Sequence, residues 1–136
     1  MVADAPLLDA ALAGTRALED ALGVAVVHGW DVFPASIGRI RAQVAADPGS
    51  TRWGTRFFVA GEPPALVGWG GFKGPPRDGT VELGYAVAPA REGRGLATAA
   101  VRAMLEEAFA DPRVRSVIAH TAAVARPRPS HAGATA

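Results

Sequence analysis

Glu82-Leu83-Gly84-Tyr85-Ala86-Val87-Ala88-Pro89, followed by Glu92-Gly93-Arg94-Gly95-Leu96-Ala97-Thr98 and an apolar stripe that runs to Phe109, decides how this chain folds. Before Pro89 the apolar residues alternate, so Val81, Leu83, Tyr85 and Val87 share one face of a strand spanning Thr80 to Val87. After Gly95 the period becomes helical. Ala97, Ala100, Val101, Met104, Leu105, Ala108 and Phe109 fall on one stripe, and Asp111-Pro112 stops it. Between strand and helix lies a glycine-rich turn. Glycine lets a backbone turn sharply and approach a ligand closely. The first N–H groups of a helix lack intrahelical partners and carry the positive end of its dipole. The turn therefore reads as an anion site, to which Arg94 adds a cation and Thr98 a hydroxyl.

Upstream, Ala65–Phe72 reads as a strand rich in glycine (Gly68, Gly70, Gly71), and Phe57-Phe58-Val59 as another, with Gly61-Glu62-Pro63-Pro64 as the turn between them. Short turns make these strands antiparallel neighbours. Further back the pattern is helical. Leu7, Leu8, Ala11 and Leu12 mark a first helix, and Ala17, Leu18, Ala21 and Leu22 a second, with Thr15 as its expected cap. Pro34 suits the first turn of a third, carrying Ile37, Ile40, Val44 and Ala45. Downstream, Arg115 to His120 reads as a last strand. Helices, an antiparallel meander and one strand–helix–strand crossover give an α+β fold with a mixed sheet. Trp30, Phe33 and Trp69 are expected in its core. We expect one domain over residues 1–121, and a tail over residues 122–136 whose alanine, proline and arginine show no periodicity.

Composition narrows the function. With no cysteine, thiolate metal sites, disulfides and a cysteine nucleophile are excluded. A net charge of +1 from well-mixed residues offers no dense basic face for nucleic acid. No apolar run approaches the ~20 residues of a membrane span, and the N-terminus lacks the pattern of a signal peptide. No His, Asp or Glu cluster has metal-ligand spacing. The expected setting is the cytoplasm, with no metal, nucleic acid or membrane partner.

The identity of the anion follows by comparison of motifs. A P-loop requires lysine and then Ser or Thr after its last glycine, where this chain has Leu96-Ala97. A dinucleotide fingerprint requires Gly or Ala where Thr98 stands, and a parallel strand before the turn. Instead, Val81 to Pro89, then Gly93 to Thr98, then Ala108-Phe109 resemble the core of the GNAT superfamily of N-acetyltransferases, most of all the ribosomal-protein-alanine acetyltransferase type. Trp69-Gly70-Gly71-Phe72 resembles the preceding strand of the same group. Its turn pattern, Q/R-x-x-G-x-G/A, is met by Gly95 and Ala97, with Glu92 in place of the usual Gln or Arg.

The resemblance implies a GNAT-like mixed, mainly antiparallel sheet flanked by helices, and acetyl-CoA as cosubstrate. It implies that Gly93, Arg94, Gly95, Leu96, Ala97 and Thr98 hold the CoA pyrophosphate. It also implies that the main chain of Tyr85, Ala86 and Val87 pairs with the pantetheine arm and acetyl group, with the Val87 N–H donating to the acetyl oxygen. Glu82 is the candidate base, or a carboxylate that orients the ammonium; a solvated strand-face carboxylate is its bland alternative. Tyr85 reads as packing more readily than as a general acid. The acceptor is then a primary amine, on a small molecule or at a protein N-terminus.

Relatives continue past the last strand into an Asn-containing loop, a helix and a hairpin. Here Ala122-Ala123-Val124-Ala125-Arg126-Pro127 follows, which reads as a C-terminally truncated member. Such a member exposes the edge of the last strand, so that a homodimer across it and a catalytically impaired acyl-CoA-binding or interaction domain are the alternative expectations.

Overall fold

The computed structural model describes residues 1–31, 34–93 and 95–121. Helix α1 (Ala5–Ala13) starts on Asp4, whose carboxylate accepts from the Leu7 N–H, and α2 (Thr15–Leu22) ends on Gly23 in the left-handed region. Thr15, the expected cap of α2, is instead its first residue. Gly14, at φ 130°, donates its N–H to the Ala10 carbonyl, so one glycine ends α1 and begins α2. That φ suits glycine because it has no Cβ to clash.

Strand β1 (Ala25–Val26) and helix α3 (Ser36–Ala46) follow, then β2 (Thr55–Ala60), β3 (Ala65–Phe72), β4 (Thr80–Val87), α4 (Leu96–Phe109) and β5 (Ser116–Thr121). Short 3-10 segments cover Pro48–Trp53 and Pro89–Arg91. Strand β1 leaves no pattern in the sequence, because two residues carry too little periodicity to register. The expected bounds of the two glycine-flanked strands hold to the residue, and the last strand begins one residue later than expected.

The sheet is mixed and mainly antiparallel. β3 pairs antiparallel with β2 and β4, while β1 runs parallel to β3 and β5 parallel to β4. The crossover through α4 is what makes β4 and β5 parallel. Thr80 and Ser116 join their hydroxyls at 3.0 Å where that pair begins. Register is fixed by burial, since a slip of one residue exchanges the two faces.

Each face carries its own core. On one, Val81 and Leu83 of β4 and Val117 of β5 pack with Met104 and Ala108 of α4. On the other, Leu8, Leu18, Ile37 and Val44 from the three N-terminal helices cover Phe57, Leu66 and Trp69. Trp30 meets both Phe57 and Trp69 edge-on, at centroid distances of 5.0 and 5.5 Å. Phe33, the remaining expected core aromatic, lies outside the described residues, as do residues 122–136.

Candidate active site

Strand β4 carries the first half of the site. The Lys73 N–H donates to the Glu82 carbonyl and the Ala88 N–H to the Val67 carbonyl, so the even-numbered residues of β4 turn their backbone groups toward β3. By alternation the Val87 N–H points the other way, to the side on which β5 runs. Pairing with β5 extends to Tyr85 opposite Thr121 among the described residues, two residues short of Val87.

The glycines of β3 set how close β4 comes. A Cβ on Gly68 would strike the Ala86 carbonyl oxygen and stand 2.8 Å from the Val87 Cα. One on Gly70 would strike the Gly84 carbonyl oxygen and stand 2.8 Å from Phe58 Cζ. No other side chain fits at either position. These glycines were legible as a composition feature of the strand, but their task, seating Gly84–Val87, is visible only in the folded chain.

The second half is the turn into α4. Gly93 and Gly95 adopt φ 78° and 73°, in the left-handed region. Gly95 is the cap residue of α4, and no side chain caps the helix. Among the described residues, a Cβ on either glycine would meet nothing within 4 Å. The Ala99 N–H is bonded to the Gly95 carbonyl, while the N–H groups of Leu96, Ala97 and Thr98 precede the first intrahelical bonds. This arrangement suits a phosphate group by dipole and donor geometry. The Leu96 side chain packs on the α4 core, and Thr98 is exposed. Arg94, expected to add a cation here, lies outside the described residues. Arg91, its neighbour in the turn, is half-buried with its guanidinium beside Gly61 in the β2–β3 turn.

Glu82 is exposed and stands on the sheet face of Gly84 and Ala86, with its carbonyl bonded across to Lys73. Tyr85 is half-buried against the α4 core, which agrees with packing as its main task.

A cleft of about 1160 Å³ reaches β4 at Gly84, Tyr85 and Ala86. Its walls come from α3 and the Pro48–Trp53 segment, and its floor from Trp69, Gly70 and Gly71. Among the described residues, neither Gly93 nor any of Gly95–Thr98 lines it, nor does Glu82, whereas Gly84, Tyr85 and Ala86 of β4 do. Sequence reading did not single out the charged residues of this cleft, among them Arg39, Asp47, Lys73 and Arg113, because isolated charges on a helix and in loops carry no spacing signal.

One wall is held by a buried cation. Arg56 of β2 is 2 % exposed. It donates to the carbonyls of Thr51, Arg52 and Gly54 and pairs with Glu107 of α4 at 3.0 Å. Buried charge persists where it is paired and its donors are satisfied. Here it fastens the cleft wall to the helix whose other end starts at Gly95. At the end of α4, the Arg113 side chain and backbone N–H hold the Asp111 carboxyl down at about 2.

The model of the acetyltransferase (GNAT) domain matches residues 4–124. Neither curated proteins nor solved structures give a match. Among the described residues, no helix is long and apolar enough to cross a membrane. The family match covers nearly the whole chain and coincides with a mixed sheet, a glycine turn and an uncapped helix start in the order the family requires: this chain belongs to the GNAT acetyltransferase family.

Proposed function

We propose that this chain is an acetyl-CoA-dependent N-acetyltransferase that modifies a primary amine, with residues 1–121 as the acetyltransferase unit and the ribosomal-protein-alanine acetyltransferases as its type. The observation that carries the reading is the uncapped start of α4 at Gly95, placed directly after a strand whose Val87 N–H turns away from β3. The left-handed glycines suit a phosphate, since among the described residues even an added Cβ on either would meet nothing within 4 Å.

Acetyl-CoA supplies the activated acetyl group when bound. The backbone N–H groups of Gly93 to Thr98, with the Arg94 guanidinium, hold its pyrophosphate. The main chain of Tyr85, Ala86 and Val87 holds the pantetheine arm, and the Val87 N–H donates to the acetyl carbonyl oxygen as negative charge grows there. The acceptor amine arrives along the cleft, which meets β4 at Tyr85 and Ala86, next to Val87. Glu82 stands five residues along β4 from Val87, roughly 16 Å at ~3.3 Å per residue. It takes the proton that the amine loses through a chain of waters, while the C–S bond breaks and CoA leaves as the thiolate.

Titration calorimetry with acetyl-CoA tests the cradle, and thiol release over a panel of amines tests the transfer. Micromolar binding with thiol release is the expected result. Binding without thiol release for any amine would reduce the chain to an acyl-CoA-binding domain.

A further inference from the structure

One wall of the cleft is held by residues that do not touch the cleft. Gly49, Ser50, Thr51, Gly54 and Thr55 line it, whereas Arg56 and Glu107 do not. The Arg56 guanidinium directs Nη1 at the carbonyls of Thr51, Gly54 and Thr55 and Nη2 at that of Arg52. Its Nε and Nη2 also donate to Glu107 Oε2, at 3.2 and 3.0 Å. A guanidinium carries its N–H donors in a rigid planar fork, so this one side chain fixes a turn of backbone as an ammonium cannot. Arg52 adds a second tie: it donates to the Glu107 carbonyl at 3.0 Å and stacks over the Trp53 ring at 3.9 Å.

Register places this wall away from Val87. The Phe72 N–H donates to the Gly54 carbonyl, and Thr55 stands opposite Gly71, which in turn stands opposite Gly84. Val87 lies opposite Gly68, so Thr55 is three residues along the strands from it and two strands across. At ~3.3 Å per residue and ~4.8 Å between strands, that is roughly 14 Å. Thr55 and Ala86 line the same cleft. A short amine at Val87 does not reach the wall, and only the remote part of a longer acceptor does. Moving the wall therefore changes the hold on that remote part and leaves the amine's own end untouched.

We infer that Arg56 is a positioning residue for the acceptor, with Glu107 as its anchor. By holding the Pro48–Trp53 wall, the pair sets how tightly the cleft takes the part of the acceptor remote from its amine. This rests on the reading of Val87 as the reaction site. Ile40, Val44 and Trp69 line the same cleft, so an alkyl chain suffices as the remote part. The Glu107 side chain is 41 % exposed and that of Arg56 3 %. The anchor can therefore be removed without opening the core.

The test uses the full chain, with butylamine as the short amine and octylamine as the long one. Affinities are measured by calorimetry, and acetyl-CoA binding is measured separately. Arg56→Lys keeps the charge but not the fork, and Glu107→Ala keeps the fork but not its anchor. Octylamine should bind the parent chain more tightly than butylamine. In each variant its affinity should fall roughly fourfold, the worth of about one methylene no longer covered. The affinities of butylamine and acetyl-CoA should not change. A general loss of structure would instead lower the binding stoichiometry of all three ligands together, which separates positioning from stability. Where Arg56→Lys fails to fold, Glu107→Ala carries the test alone. Unchanged octylamine affinity in Glu107→Ala overturns the inference, as does an equal loss for butylamine. Octylamine binding no tighter than butylamine in the parent chain also overturns it. If octylamine affinity falls as expected and acetyl-CoA does not bind at all, the acetyltransferase reading falls and the role of the wall stands.

Discussion

Single residues decide the two halves of the site for different reasons. At Gly95 the constraint is backbone: φ 73° is left-handed, and among the described residues an added Cβ would meet nothing within 4 Å. Replacement by asparagine, which tolerates that region, should leave acetyl-CoA binding within a few-fold, whereas Gly95→Glu adds negative charge in front of the helix dipole. We expect Gly95→Glu to weaken acetyl-CoA at least tenfold by calorimetry; equal affinity for the two variants would misplace the pyrophosphate. At Gly68 the constraint is contact, because a Cβ would press on Ala86 and Val87. Gly68→Ala should therefore lower kcat through the displaced Val87 N–H while leaving the turn at Gly95 intact. An unchanged kcat would separate Val87 from the chemistry. For Glu82, conversion to Gln should reduce kcat by roughly 10² if it takes the amine proton, with acetyl-CoA affinity preserved. A loss confined to KM would make it an orienting carboxylate.

At the scale of elements, Arg56 joins β2, the Pro48–Trp53 segment and α4. Arg56→Met keeps the length of the side chain but removes the guanidinium donors from the Thr51 carbonyl, which keeps the Gly54 N–H, and from the Arg52 carbonyl, and leaves Glu107 without its cation. The expected loss is roughly 2 kcal/mol in denaturant unfolding, since the buried guanidinium makes several hydrogen bonds whose acceptors are themselves only partly covered. A loss below about 1 kcal/mol would show that water replaces the arginine. The loop after α4 has a pH signature of its own. Asp111 has a lowered folded-state carboxyl pKa, about 2 against 3.8, because Arg113 bonds the ionised form. A depressed carboxyl favours the folded state above the unfolded value and loses that contribution as pH falls toward 2. The Asp111 side-chain carbon should titrate in NMR with a midpoint near 2, and Arg113→Ala should return it toward 3.8.

At the scale of the whole molecule, β3 and β4 are shared between two cores on opposite faces. Leu83 faces α4 and Leu66 faces the N-terminal helices, and both are fully buried. Leu83→Ala and Leu66→Ala should each cost about 2–5 kcal/mol. Because the same sheet backs both cores, each variant should still unfold in one transition by fluorescence and circular dichroism. Two separated transitions would mean that the helical layer and the α4 layer are independent.

The strand, the glycine turn and the helix from Thr80 to Phe109 were legible in the chain itself, because side-chain period changes from two to about three and a half where Gly93 and Gly95 stand. That local change gave the order of the strand, the turn and the helix. The glycines at 68 and 70 and the arginine at 56 were present in the same sequence but said nothing of their tasks. A glycine's neighbour across a sheet and a cation's partner on a distant helix are set by pairing between residues far apart along the chain. Periodicity therefore determined the elements and the turn, and only tertiary register decided which backbone is approached, which charge is buried and which segment walls the cleft.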